Sequence, residues 1–127
     1  MHYKITYTDL TDLLMVITEG QMNSRDFIAM AEDLLCHSRF LPGANVIFDH
    51  TALEFSNVFV DDLQKIRAFH MANEERIGGG KSAIVVKAGL SGEWHKLWSQ
   101  GEKIKTENKE QVFENCCDAL NWLKGDK

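Results

Sequence analysis

The residues best suited to do chemistry are Asp49, His50 and Thr51, in the stretch VIFDHTALEFSNVFVDDL of residues 46–63. A carboxylate beside an imidazole could form an acid–base pair. Adjacent residues of an extended chain point to opposite faces, however, and no nucleophile, metal set or cofactor loop accompanies these two. The three residues follow the apolar run 46–48, and ligands commonly bind at the carboxyl ends of parallel strands. The stretch is therefore predicted to be a polar turn placed where a ligand or partner would bind.

The same turn also has a structural explanation. Asp49 can accept hydrogen bonds from nearby backbone amides, as aspartate does in many turns. Ser56 or Asn57 can cap the helix that is predicted to begin near Phe59, with Asp61 and Asp62 in its first turn. The residues of the turn alone do not decide between binding and capping.

Three other patterns that suggest chemistry are better explained structurally. The glycines at 78–80 follow a predicted helix, whereas a phosphate-binding loop precedes one, so we interpret them as a helix stop. Cys36 and His37 are consecutive helix positions that point about 100° apart and cannot face each other. His70 and Glu74 are predicted to be a surface pair one helical turn apart. No metal site, cofactor or catalytic residue is predicted.

Aromatic side chains offer a second kind of candidate site. Trp94 and Trp98 lie four residues apart on a short predicted helix, which places both rings on one side of it. With Phe55 and Phe59 they could line an apolar pocket, or the tryptophans could simply pack in the core. Whether these rings face a cavity or the core discriminates between the two interpretations.

Composition restricts the class of protein. The chain has 127 residues with 44% hydrophobic and 26% charged residues, which predicts a single globular domain over residues 1–127. The net charge of −5, without a cluster of Lys and Arg, argues against a nucleic-acid partner. No apolar run approaches the about 20 residues of a membrane span, and the N-terminus has no signal peptide, so we expect a cytoplasmic protein. The three cysteines form no disulfide or metal pattern and are expected to pack in the core.

The apolar patterns predict an α/β fold. Runs without alternation, typical of parallel strands covered on both faces, alternate with segments of helical length. The first strand alternates with period two and should pair antiparallel with the second. The predicted elements are strands at 3–8, 13–20, 46–48, 82–86 and 103–106, and helices at 24–40, from 59 to the glycines, at 92–100, and from Asn108 nearly to the C-terminus. This gives a mixed sheet of about five strands with about four helices.

The polar stretch also carries a family resemblance. The pattern Asp49-x-Thr51-x-Leu53-x-Phe55, after an apolar strand and before a helix, resembles the signature of STAS domains, the SpoIIAA-like family. The segments FDHTALEFSN, NEERIGGGKSAIVV and ENCCDALNWL together resemble uncharacterised bacterial SpoIIAA-like proteins. The resemblance implies a βα superhelix over nearly the whole chain, a fold shared with CRAL-TRIO lipid-binding domains.

One departure from the family changes the expected function. STAS phospho-switches have Asp-Ser-Ser-Gly where this chain has Asn57, Val58, Phe59 and Val60, so a valine occupies the phospho-acceptor position. Valine cannot be phosphorylated, and the charge switch is unavailable in that form. The resemblance therefore implies a non-catalytic regulatory or protein-interaction module, with a protein partner or a second copy as its target. The alternative is a domain that binds a lipid or another small apolar molecule. The candidate binding residues are Asp49, His50, Thr51, Phe55, Ser56, Asn57, Phe59, Trp94 and Trp98.

Overall fold

The computed structural model describes residues 1–99 and 109–125. In chain order the strands of this part are β1 (His2–Thr8), β2 (Leu13–Gln21), β3 (Val46–Glu54), β4 (Lys81–Val85) and β5 (Lys109–Phe113). The helices are α1 (Ser24–Leu35), α2 (Val60–Ala72), α3 (Glu74–Ile77), α4 (Ser91–Trp98) and α5 (Cys116–Lys124).

The strands form one mixed sheet in the order β1-β2-β3-β4-β5. β1 pairs antiparallel with β2 as a hairpin, and the remaining neighbours are parallel. Each parallel crossover passes through at least one segment of helical length, as such connections require. The prediction of a mixed five-stranded sheet with an antiparallel first strand is confirmed, and one-turn helix α3 brings the described helices to five.

The two faces of the sheet are covered differently. Alternate residues of each strand point to opposite faces. On one face, side chains such as Val16, Phe48 and Ile84 pack against α1, α2 and α4. On the other face, Ile47 and its neighbours in β4 pack against α5. The helix-rich face therefore contains most of the core.

Asparagine caps define where two helices begin. Asn23 precedes α1, and its side chain accepts a hydrogen bond from the backbone N–H of Asp26 at 2.8 Å. Asn115 does the same for α5, accepting from the N–H of Asp118 at 2.9 Å. Such bonds satisfy amides that have no partner within the helix. The prediction of a helix from residue 24 is confirmed, although α1 ends at Leu35 rather than near residue 40.

The predicted start of the last helix is wrong. Residues Lys109–Phe113 form β5, which supplies β4 with its second neighbour, and the helix begins only at Cys116. The prediction placed the start of this helix at Asn108, but its N-cap residue, Asn115, lies seven residues later. The strand predicted at 103–106 lies outside the described residues.

Two smaller predictions are also wrong. Cys36 and Cys117 are exposed and Cys116 is half-buried, so the cysteines do not fill the core. Neither Ser56 nor Asn57 caps α2, whose N-cap residue is Phe59 without a side-chain hydrogen bond. The helix instead has Asp61 and Asp62 in its first turn, where acidic side chains favour the helix dipole.

Candidate ligand-binding site

The stretch predicted as a turn is part of a strand. β3 continues to Glu54, and Asp49 is the last of its residues that pairs with β4. Beyond that point β3 pairs only with β2, whose register shifts between Ile17 and Glu19. The prediction placed Asp49, His50 and Thr51 past the strand end because polar residues are typical of turns. The nine-residue β2 offers backbone partners that override this local preference.

Thr18, at the register shift, is the partner of His50. The Thr18 hydroxyl lies 2.7 Å from Nδ1 of His50, and both side chains are almost fully buried. The imidazole is surrounded by rings, with centroids of Trp94, Phe48 and Phe27 at 5.3, 5.6 and 5.9 Å. Burial lowers the pKa of His50 to about 4, against a smaller opposing effect of the Asp49 charge. The ring is therefore neutral at physiological pH.

His50 and its aromatic neighbours lie at a cavity of about 760 Å³ on the helix-rich face of the sheet. The cavity is bounded by the sheet and by residues of α1, α2 and α4. Most of its wall is apolar or aromatic, as is usual for sites that bind small molecules. The apolar residues that line it include Phe27, Met30, Leu34, Phe40, Val46, Phe48, Ile66, Phe69, Ile84, Trp94, Trp98 and Val112.

A few polar groups interrupt this apolar wall near Trp98. The guanidinium of Arg67 lies 5.5 Å from the Trp98 ring centroid, and it donates hydrogen bonds to Gln64 Oε1 and to the Trp98 carbonyl oxygen. Nε1 of Trp98 and Nε2 of His70 are buried without a hydrogen-bond partner in the described part of the chain. Burial lowers the pKa of His70, against a smaller effect of Glu74. His70 is thus half-buried rather than fully at the surface, while Glu74 lies close enough for its charge to act on the ring.

Of the nine predicted site residues, three meet at this cavity. His50, Trp94 and Trp98 line it. Phe55 packs edge-on against Trp94 from behind, with the two ring centroids 5.1 Å apart. Thr51, Phe55 and Ser56 line a separate, smaller depression of about 480 Å³ beside α4.

The remaining predicted site residues lie elsewhere. Asp49 is on the α5 face of the sheet, opposite His50, where it accepts hydrogen bonds from the backbone N–H and the hydroxyl of Thr51 at 3.1 and 2.7 Å. Burial, followed by the Asp49 charge, raises the pKa of the Cys116 thiol on the same face. Asn57 and Phe59 are exposed at the start of α2. The nine residues therefore do not form one site.

Sequence reasoning missed the contribution of α1 and α2. Phe27, Phe69, Arg67 and His70 all line the cavity, but their helical spacing indicates only an inward face. The sequence signal that could have identified this part of the site was an arginine and a histidine on the inner face of α2. Buried polar residues are less common than buried apolar ones, so these two were unusual on that face.

The part of the chain that the structure describes contains neither a metal-binding cluster nor a membrane-spanning helix. Within residues 1–99 and 109–125, no three side chains of His, Cys, Asp or Glu are grouped closely enough to hold a metal ion. None of the helices in the same ranges is both long and apolar enough to cross a membrane.

Comparison with known proteins places the fold. No family model matches the chain, and none of the curated proteins matches it. Among solved structures, it is similar to an uncharacterized protein of the DUF3478 family from Shewanella loihica PV-4, which has a SpoIIAA-like fold. The TM-score is 0.60 at 19% identity, over 95% of this chain and 93% of the other. The chain therefore has a SpoIIAA-like α/β fold, as the resemblance in its sequence implied.

Proposed function

We propose that this chain is a non-catalytic protein that binds one small, mainly apolar molecule in the cavity between the sheet and α1, α2 and α4. The observation that carries this proposal is the cavity itself, because its size of about 760 Å³ falls within the range of ligand sites. A packed core would leave few voids larger than a water molecule. Rings such as Trp94, Trp98 and Phe48 offer a ligand large contact areas.

The placement of polar side chains supports binding rather than catalysis. Asp49 and His50 are on opposite faces of the sheet and cannot exchange a proton directly. His50 is held by Thr18 among aromatic rings, and its neutral state suits an apolar site. We also propose that residues 1–127 form a single domain and that the protein acts in the cytoplasm.

Native mass spectrometry of the protein purified gently from its own host tests the proposal. We expect a mass increase of a few hundred daltons that disappears after organic extraction. A protein that shows only its bare mass, and whose tryptophan fluorescence does not respond to any apolar probe, would contradict the proposal.

The positions of the three tryptophans provide a matched fluorescence assay. Trp94 and Trp98 line the cavity, whereas Trp122 packs on the α5 face with Phe113 at 5.8 Å. In Trp122→Phe, the emission of the two cavity tryptophans should change when 2-naphthoate is added. In the double variant Trp94→Phe and Trp98→Phe, the remaining Trp122 should not respond.

A second candidate function rests on the exposed start of α2. Phe59 is 74% exposed and Val60 is 42% exposed, next to exposed Ser56 and Asn57. In the resemblance to STAS domains, this turn corresponds to the segment that makes a regulatory contact. Val58 occupies the phospho-acceptor position, so the turn has no phospho-switch. A STAS-like interaction module would use these residues to bind a protein partner or a second copy of the chain.

A paired variant distinguishes this candidate from the cavity. Phe59→Asp should abolish co-purification of a stoichiometric partner, or convert a homodimer to a monomer in sedimentation, without changing ligand affinity. Leu41→Asp, at another exposed apolar residue (70% exposed), is the control. Absence of a stoichiometric partner in native lysates from several growth conditions, together with a monomeric mass, would reject this second candidate.

A further inference from the structure

Two buried ring nitrogens at the cavity have no hydrogen-bond partner among the described residues. Nε1 of Trp98 and Nε2 of His70 are buried without one. Buried polar atoms are normally paired, and each exception needs an explanation.

The unpaired atoms near Trp98 are concentrated where α2 meets α4. Arg67 contacts both the ring and the carbonyl oxygen of Trp98, and His70 is one turn further along α2 from Arg67. Residues three apart on a helix are neighbours on its surface. This part of the cavity, defined by Arg67, His70 and Trp98, is called the polar end.

The chemistry of the polar end is mainly that of a donor. An indole N–H donates and cannot accept, and a guanidinium likewise has donors only. A neutral imidazole such as His70 can present either a donor or an acceptor at Nε2. A purely apolar ligand would leave the Trp98 N–H unsatisfied, whereas an oxygen acceptor would pair with it.

We propose that the cavity ligand carries an oxygen hydrogen-bond acceptor, a carbonyl or a carboxylate, that pairs with Trp98 Nε1–H at the polar end. This inference rests on the proposed function and adds the chemical class of the ligand. The apolar body of the molecule then lies against the rings around His50. The same acceptor chemistry could belong to a neutral ketone or ester or to an organic acid, and the experiment separates the two.

Three probes with the same ring system test the inference by isothermal titration calorimetry. Naphthalene has no acceptor, 2-acetonaphthone has a neutral carbonyl, and 2-naphthoate has a carboxylate. One net hydrogen bond predicts about 2- to 10-fold tighter binding of the acceptor probes than of naphthalene. Preference for 2-naphthoate over 2-acetonaphthone would identify an acid, and the reverse would identify a neutral carbonyl compound.

Single substitutions assign the effect to the indole nitrogen. Trp98→Phe keeps a ring but removes the N–H, so the advantage of the acceptor probes should fall below about 2-fold while naphthalene still binds. Trp122→Phe makes the same change on the other face of the sheet and should alter no affinity. If Trp98→Phe does not fold, Trp98→Met, which also lacks the N–H, provides the second test, with the same expected loss.

The outcomes separate this inference from the proposed function. Equal affinity of all three probes for the wild-type protein, or an acceptor advantage that survives removal of the Trp98 N–H, would overturn the acceptor but leave the cavity as an apolar site. Absence of binding by all three probes would overturn both proposals.

Discussion

Acid should destabilise this protein through His50. Burial lowers the pKa of this imidazole from 6.5 to about 4, so the folded state binds its proton less readily than the unfolded state does. The unfolded chain therefore holds more protons between pH 4 and 6.5, and the free energy of unfolding falls as the pH drops through that window. The loss is nearly complete near pH 4 and almost absent at pH 7.

The expected magnitude follows from the pKa difference. One pKa unit corresponds to about 1.4 kcal/mol, so full protonation costs about 3 kcal/mol and protonation at pH 5 costs about 2 kcal/mol. This is a large share of the about 5–15 kcal/mol by which small proteins are stable. The whole side chain is buried, so solvent screening does not reduce the cost.

Urea denaturation of wild type and His50→Gln, from pH 4.5 to 7.5, measures the effect. Other groups titrate in both proteins, including His70, so the difference between the two curves isolates His50. We expect the variant to have lower stability at pH 7 but a pH dependence about 2 kcal/mol shallower between pH 7 and 5. If His50→Gln does not fold, His50→Phe replaces it in the same comparison with wild type. Parallel curves for wild type and variant would refute the assignment of a buried, neutral imidazole.

Three further predictions concern stability and binding; urea denaturation measures all three, and calorimetry also measures the last pair. Asn115→Ala should lower stability by about 1 kcal/mol through loss of the α5 cap, and Asn115→Asp should restore most of it. Gly80→Ala should destabilise strongly because the new Cβ would lie 2.4 Å from a loop carbonyl oxygen, whereas Gly92→Ala in α4 meets nothing within 4 Å and should be neutral or stabilising by up to about 1 kcal/mol. Leu34→Ala and Leu123→Ala remove similarly buried side chains, so both should cost about 2–5 kcal/mol, but only Leu34→Ala should change ligand affinity because only Leu34 lines the cavity. A change of affinity in Leu123→Ala equal to that in Leu34→Ala would contradict the location of the site.

The fold could be predicted wherever the signal was local. The β1–β2 hairpin and the start of α1 at Asn23 follow from short stretches whose periodicity and capping chemistry agree. β3 beyond Phe48 and β5 could not be predicted in this way. Asp49, His50 and Thr51 are typical of turns, and they become a strand only because β2 offers a backbone to pair with.

The candidate site was less predictable than the fold. Trp94 and Trp98 were found because two large rings one turn apart are visible in the sequence. The cavity depends on how far helices α1 and α2 sit from the sheet, and no single segment encodes that distance. His70 shows the difficulty, since the same residue would form a surface pair if α2 were rotated by a fraction of a turn.

The difference between the two faces of the sheet explains why the site is on one of them. On the α5 face, small and branched side chains such as Ala83 and Val85 pack directly under Ala119. On the other face, a buried polar pair, Thr18 and His50, replaces the apolar contact that would close a core. Such a pair destabilises the protein in acid, so it is a cost unless a ligand uses the space beside it. A SpoIIAA-like fold does not by itself require this arrangement, and the ligand class must therefore follow from the side chains of the helix-rich face.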